Sequence, residues 1–122
     1  MKSAAKPTRS AKVAISTDGD SVAAHFGRCQ AYTVVEIVDG AVRSREVIAN
    51  PGHEPGFLPG YLAQRGVTCI VAGGMGPRAV ELFESLGIQV IVGVMGPLED
   101  AVAAVANGRL ESGESLCEHR DG

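Results

Sequence analysis

Short β-branched apolar runs alternate with amphipathic stretches in the second half of the chain, and one such alternation is written twice, 20 residues apart. The first copy is Cys69-Ile70-Val71-Ala72-Gly73-Gly74-Met75-Gly76-Pro77, followed by Arg78-Ala79-Val80-Glu81-Leu82-Phe83. The second is Val90-Ile91-Val92-Gly93-Val94-Met95-Gly96-Pro97, followed by Leu98-Glu99-Asp100-Ala101-Val102. Each reads as a strand, a Met-Gly-Pro loop and a helix. In the first helix Ala79, Leu82, Phe83 and Leu86 form one stripe for burial, and Gly87 ends it. In the second, Leu98, Ala101, Val102 and Val105 repeat the stripe, and Gly108 ends it. Pro77 and Pro97 are expected at the first helical position, where a missing N–H does no harm. Two such units in series predict parallel strands with both loops at one sheet edge. In open α/β sheets that carboxyl edge takes ligands, and the unpaired N–H groups of helix N-termini favour an anion.

Upstream, Lys12–Ser16 reads as a first strand that ends at Thr17-Asp18-Gly19-Asp20, and a loop then runs through Cys29. Tyr32–Val38 and Ala41–Ile48 flank Asp39-Gly40, a two-residue hairpin signal. That turn predicts Val38 opposite Ala41, Ile37 opposite Val42, and Glu36 opposite Arg43 as a cross-strand ion pair. Arg43 and Arg45 suit an exposed edge strand. Residues 50–60 read as loop, and a short helix is expected from about Pro59 to Arg65, stopped by Gly66. With right-handed crossovers this order predicts an α/β fold, a mixed five-stranded sheet with helices on both faces. That arrangement looks like the ribonuclease H-like architecture.

The chain has 122 residues, 45 % apolar and 4 % aromatic, with no Trp. One domain with a Val, Ile, Leu and Ala core is expected. Residues 1–12 carry Lys2, Lys6, Arg9 and Lys12 and no acid; the rest holds 7 basic and 14 acidic side chains. An acidic body argues against a nucleic-acid partner, which needs a basic footprint. No segment approaches the ~18 apolar residues of a membrane span, so a cytoplasmic protein is expected. Residues 1–11 read as a flexible basic tail, 12–110 as the domain and 111–122 as a polar tail. Three cysteines, Cys29, Cys69 and Cys117, make no disulfide framework, and there is no C-x-x-C.

The strand Val13-Ala14-Ile15, then His25-Phe26-Gly27-Arg28, then Gly73-Gly74-Met75-Gly76, then Leu86-Gly87-Ile88 opening the last strand, resemble the dinitrogenase iron–molybdenum cofactor biosynthesis family. This family includes the small domain of NifX-type proteins and the NifB carboxyl terminus. The resemblance covers about residues 12–117. It implies a ribonuclease H-like fold and a non-enzymatic protein that binds or carries iron–sulfur or iron–molybdenum clusters or their precursors. The chain has no C-x-x-x-C-x-x-C motif, so the resemblance is to the small domain and not to the maturase.

His25 and Cys29 are the sharpest candidate ligands: thiolate and imidazole both serve iron, and Gly27 allows a bend that could aim both inward. Alternatively His25 caps a turn and Cys29 is a small buried hydrophobe. The 73–76 loop lacks the Lys-Ser/Thr of a phosphate loop but suits an amide cradle for an anionic cluster. Arg78 in the first helical turn opposes the helix dipole, a cost that a bound anion would offset. Glu99 and Asp100 satisfy the dipole of the second helix, which directs the anion to the first loop. The alternative for Gly73 and Gly74 is close helix–sheet packing. The expected cofactor-binding set is therefore His25, Phe26, Gly27, Arg28, Gly73, Gly74, Met75, Gly76 and Arg78, and the expected metal ligands are His25, Cys29, Cys117 and His119. Met75 and Met95 are expected to pack in the core or at its rim, Cys69 is expected to be inert, His53 is a candidate lid ligand, and Asp18 and Asp20 are solvated acids. The expected partners are a metal–sulfur cluster and the proteins that donate or receive it. The alternative is a small-anion, nucleotide or protein-interaction module without a cluster. A nuclease needs converging carboxylates, and Thr68–Ala72 and residues 57–65 supply none.

Overall fold

The computed structural model describes residues 10–50 and 57–108. His53, Cys117, His119 and the polar tail lie outside the described residues. The elements are β1 (Ser10–Asp18), β2 (Ser21–Val22), β3 (Ala31–Val38), β4 (Ala41–Ala49), α1 (Phe57–Gln64), β5 (Cys69–Val71), α2 (Pro77–Ser85), β6 (Gln89–Ile91) and α3 (Leu98–Ala106). A single 3₁₀ turn covers Phe26–Arg28. The sheet runs β4-β3-β1-β5-β6, with β2 paired to the end of β1. β1, β5 and β6 are mutually parallel, whereas β3 lies antiparallel to both β1 and β4.

The sheet has six strands rather than five. The extra one is β2: Gly19 sits at φ +60°, so the chain folds back and pairs Thr17 with Val22. β1 starts at Ser10, two residues inside the segment expected as a basic tail. Helices cover both faces. On one, Leu98, Ala101 and Val102 of α3 pack on Val13, Ile15, Val35, Ile37, Val71 and Ile91. On the other, Leu58 and Leu62 of α1 and Phe83 of α2 pack on Ala14, Tyr32, Val34 and Ile70. Tyr32 and Phe83 are the largest side chains shut from solvent, each worth about 1.5–3 kcal/mol of apolar burial.

The hairpin turn is Asp39-Gly40 as expected, with both residues at positive φ (51° and 84°), the signature of a turn that matches strand twist. Val38 faces Ala41 and Ile37 faces Val42, but Glu36 faces Ser44, because a bulge interrupts the ladder there and Arg43 is the extra residue. The Glu36–Arg43 pair therefore does not form. The bulge shifts every later β4 residue to the opposite face. Arg45, opposite Val35, reaches over the α3 face to Glu99 at 2.7 Å. Glu46, opposite Val34, pairs with Arg65 beyond α1. Two further expectations shift. Pro97 is the N-cap of α3 rather than its first residue: its ψ of 141° is extended, and the Leu98 N–H that follows donates to the Asp20 carbonyl. Leu86 caps α2 and is 47 % exposed, so the α2 stripe ends at Phe83.

Candidate functional site

Parallel pairing of β1 and β5 brings their carboxyl ends side by side. The chain leaving β1 through β2 then runs back across the loop after β5. Two backbone bonds join the two segments, Gly73 N–H to Ala23 O at 2.9 Å and Phe26 N–H to Gly74 O at 2.9 Å, and Ala23 N–H ties the first segment back to Ser16 O of β1 at 2.7 Å. A Cβ on Gly73 would stand 2.8 Å from Ala24 Cα and 2.9 Å from the Ala23 and Ala24 carbonyl oxygens; one on Gly74 would stand 3.1 Å from Ala24 O. These glycines let two loop backbones touch, loop on loop rather than helix on sheet.

The joined loops enclose an open cavity of about 510 Å³, lined by His25, Phe26, Gly27, Arg28, Gly74, Met75 and Gly76. That size lies in the range of small-molecule sites. Phe26 forms its inner wall, with its ring edge-on to Phe83 at 5.3 Å and tilted on Tyr32 at 5.6 Å. His25 and Arg28 are exposed and Met75 is half-buried. The amides of Gly74, Met75 and Gly76 donate to no acceptor among the described residues. Gly76 is the N-cap of α2 and offers no side-chain cap; no acid lies in that helix's first turn. Arg28 and Arg78 pair with no carboxylate among the described residues. Unpaired amides, a bare helix N-terminus and an unpaired guanidinium together favour an anion.

The second loop is built differently. Its Gly96 carbonyl accepts from Val22 N–H at 2.9 Å, its Gly93 N–H donates to Gly73 O at 2.8 Å, and Glu99 and Asp100 begin α3. It supports the first loop and carries its own negative charge. Met95 is 53 % exposed there and packs little.

Of the expected cofactor-binding residues, seven line the cavity. Gly73 lies behind it as the contact between the loops, and Arg78 is exposed on α2 and not in the lining. Cys29 is buried in the core with Tyr32, Leu58 and Phe83 and does not line the cavity. Burial, with the Cys29 thiol packed beside it, pushes the Tyr32 phenol far above its ordinary pKa. Cys69 is buried on the α3 face, and desolvation lifts its pKa to about 11. Asp18 accepts the Gln30 N–H at 2.8 Å, and the Gln30 side chain accepts the Gly19 N–H at 3.1 Å, so Asp18 clamps the loop. No group of three or more His, Cys, Asp or Glu side chains gathers among the described residues. Sequence reasoning missed Asn50, whose side chain bonds the carbonyls of Gly27 and Cys29. An Asn ending a strand gives no local signal of such a partner.

These features define a small α/β domain with a cation-flanked pocket at the carboxyl edge of its sheet. Residues 9–108 match the family described as dinitrogenase iron-molybdenum cofactor, and the chain belongs to that family. Membership ties it to the biosynthesis or binding of that cofactor. It is 32 % identical over 108 residues to the uncharacterized protein MJ0580 of Methanocaldococcus jannaschii, spanning 84 % of this chain and 92 % of that one. The crystal structure of PH0822 aligns with a TM-score of 0.75 at 36 % identity, covering 83 % of this chain and 95 % of that one. The apo form of the orange protein from Desulfovibrio gigas aligns with a TM-score of 0.69 at 26 % identity, covering 83 % and 91 %. Among the described residues no helix is long and apolar enough to cross a membrane.

Proposed function

We propose that the chain is a non-catalytic carrier for an anionic iron–sulfur or molybdenum–iron–sulfur cluster, or a precursor of one. The observation that carries this reading is the junction of the His25–Arg28 turn with the Gly74–Gly76 loop around one cavity. His25 supplies a single imidazole ligand. Arg28 supplies a fixed positive charge, and the three loop amides can bond sulfide. The cargo is exposed on one side, which suits a protein that receives a cluster from one partner and passes it to another. We read the architecture as ribonuclease H-like.

Anaerobic reconstitution with iron and sulfide, or molybdate and sulfide, tests the reading. The protein should become coloured and retain metal through gel filtration. His25→Ala should weaken retention about tenfold or more, the equivalent of ~1.4 kcal/mol. ATP and phosphate should neither bind comparably nor displace the cargo. A colourless protein, or a coloured one indifferent to His25→Ala, would refute the carrier reading.

A further inference from the structure

The turn that carries His25 and Arg28 has little of its own to hold it. Its internal bond, from Arg28 N–H to the His25 carbonyl, is long at 3.3 Å. Asn50, the residue after β4, holds it from outside. Its backbone N–H donates to the Gln30 carbonyl at 3.0 Å. Its side-chain Nδ2 donates to the Cys29 carbonyl at 2.8 Å and to the Gly27 carbonyl at 3.3 Å. Among the described residues no other side chain bonds those two carbonyls.

We infer that Asn50 is a positioning residue of the cargo pocket: one carboxamide ties the His25–Arg28 turn to the sheet and occupies two carbonyl oxygens beside the site. A carboxamide nitrogen carries two hydrogens, so one group serves both acceptors. Carbonyl oxygens carry partial negative charge, and Gly27 lines the cavity, so engaging its oxygen on a donor lowers the repulsion an anion meets. Asn50 sits at the sheet end of the tether, where Ala49 is held opposite Ala31 by the β3–β4 ladder. The electrostatic half of the inference rests on the anionic-cargo reading; the tethering half stands without it.

Asn50→Ala removes the donor, and Asn50→Asp replaces it with a near-isosteric group that only accepts. Amide hydrogen exchange by NMR reads the tether. The Phe26 amide, bonded to Gly74 O, should exchange about tenfold faster in both variants, the scale of one lost hydrogen bond. Amides at the centre of the sheet, such as Ile15 and Ile70, should keep their wild-type rates. Tetrathiomolybdate affinity reads the electrostatics. It should fall about tenfold in Asn50→Ala and further in Asn50→Asp, where a carboxylate adds charge of the wrong sign. Wild-type exchange at Phe26 in both variants, or equal acceleration across all amides, would overturn the inference. Faster Phe26 exchange with undiminished tetrathiomolybdate binding would overturn its electrostatic half. If the wild-type protein binds no tetrathiomolybdate, the electrostatic half falls and Phe26 exchange alone decides the tether, while the carrier reading is decided by the reconstitution above.

Discussion

Gly73 should be the most sensitive glycine around the pocket, and Gly73→Ala measures how tightly its two loops are joined. The added methyl would run into the Ala23–Ala24 backbone, at 2.8 Å from Ala24 Cα and 2.9 Å from the Ala23 and Ala24 carbonyl oxygens. Real Cβ contacts do not come so close, and none of the three atoms is the end of a flexible side chain. The loops must part. Overpacking of this kind costs about 1–3 kcal/mol, and stretching the Gly73 N–H bond to Ala23 O adds about 0.5–1.5 kcal/mol. A loss near 3 kcal/mol lowers the melting temperature of a domain this size by roughly 10–20 °C. Two companion variants calibrate the effect. Gly74→Ala would sit 3.1 Å from one carbonyl and should cost less; Gly76→Ala meets nothing within 4 Å and should change stability by under about 0.5 kcal/mol. Urea denaturation of the three variants should rank them Gly73, Gly74, Gly76. If Gly73→Ala proves as stable as Gly76→Ala, the loops are not in backbone contact and the cavity between them has been misread.

Phe83→Ala, which empties a fully buried site against Phe26, should cost about 3–5 kcal/mol and speed Phe26 amide exchange, read by denaturation and NMR. Glu99→Gln should reveal the register set by the β4 bulge. The hydrogen bond from Arg45 holds the Glu99 carboxyl below its usual pKa. The stability difference from wild type should therefore be present at pH 7, shrink as pH falls below about 4.3, and vanish beneath the lowered folded value. A difference unchanged at pH 3 would break the pairing. Cys69, with its thiol lifted to about 11 by burial, should resist iodoacetamide at pH 8 in the native protein and react after unfolding, as mass spectrometry would show. The unfolded thiol ionises near pH 8.5 and the folded one later, so its contribution to stability should decline between those two values.

The repeated strand-loop-helix units were legible because each carries local punctuation: β-branched runs, Met-Gly-Pro loops and terminal glycines at Gly87 and Gly108, both at positive φ. The meeting of His25 with the Gly74 loop was legible too, because parallel neighbours must end at the same edge. The bulge at Arg43 was not. Its reward lies on helices distant in sequence, where Glu99 and Arg65 select which face Arg45 and Glu46 occupy. Cys29 shows the opposite failure. Its spacing from His25 suggested a shared ligand role, but the 3₁₀ turn rotates its thiol into the core against Tyr32. The roles of Gly73 and Asn50 depend on which backbone lies opposite each of them, and periodicity carries no record of that.

An amide NMR titration with tetrathiomolybdate under anaerobic conditions puts the pocket itself to the test. Shifts should concentrate on residues 25–28 and 74–76, leave the opposite sheet edge around Thr68 and Gly87 unmoved, and disappear in His25→Ala. No shifts, or shifts centred on that opposite edge, would mean the junction of the two loops is not where an anionic metal–sulfide binds.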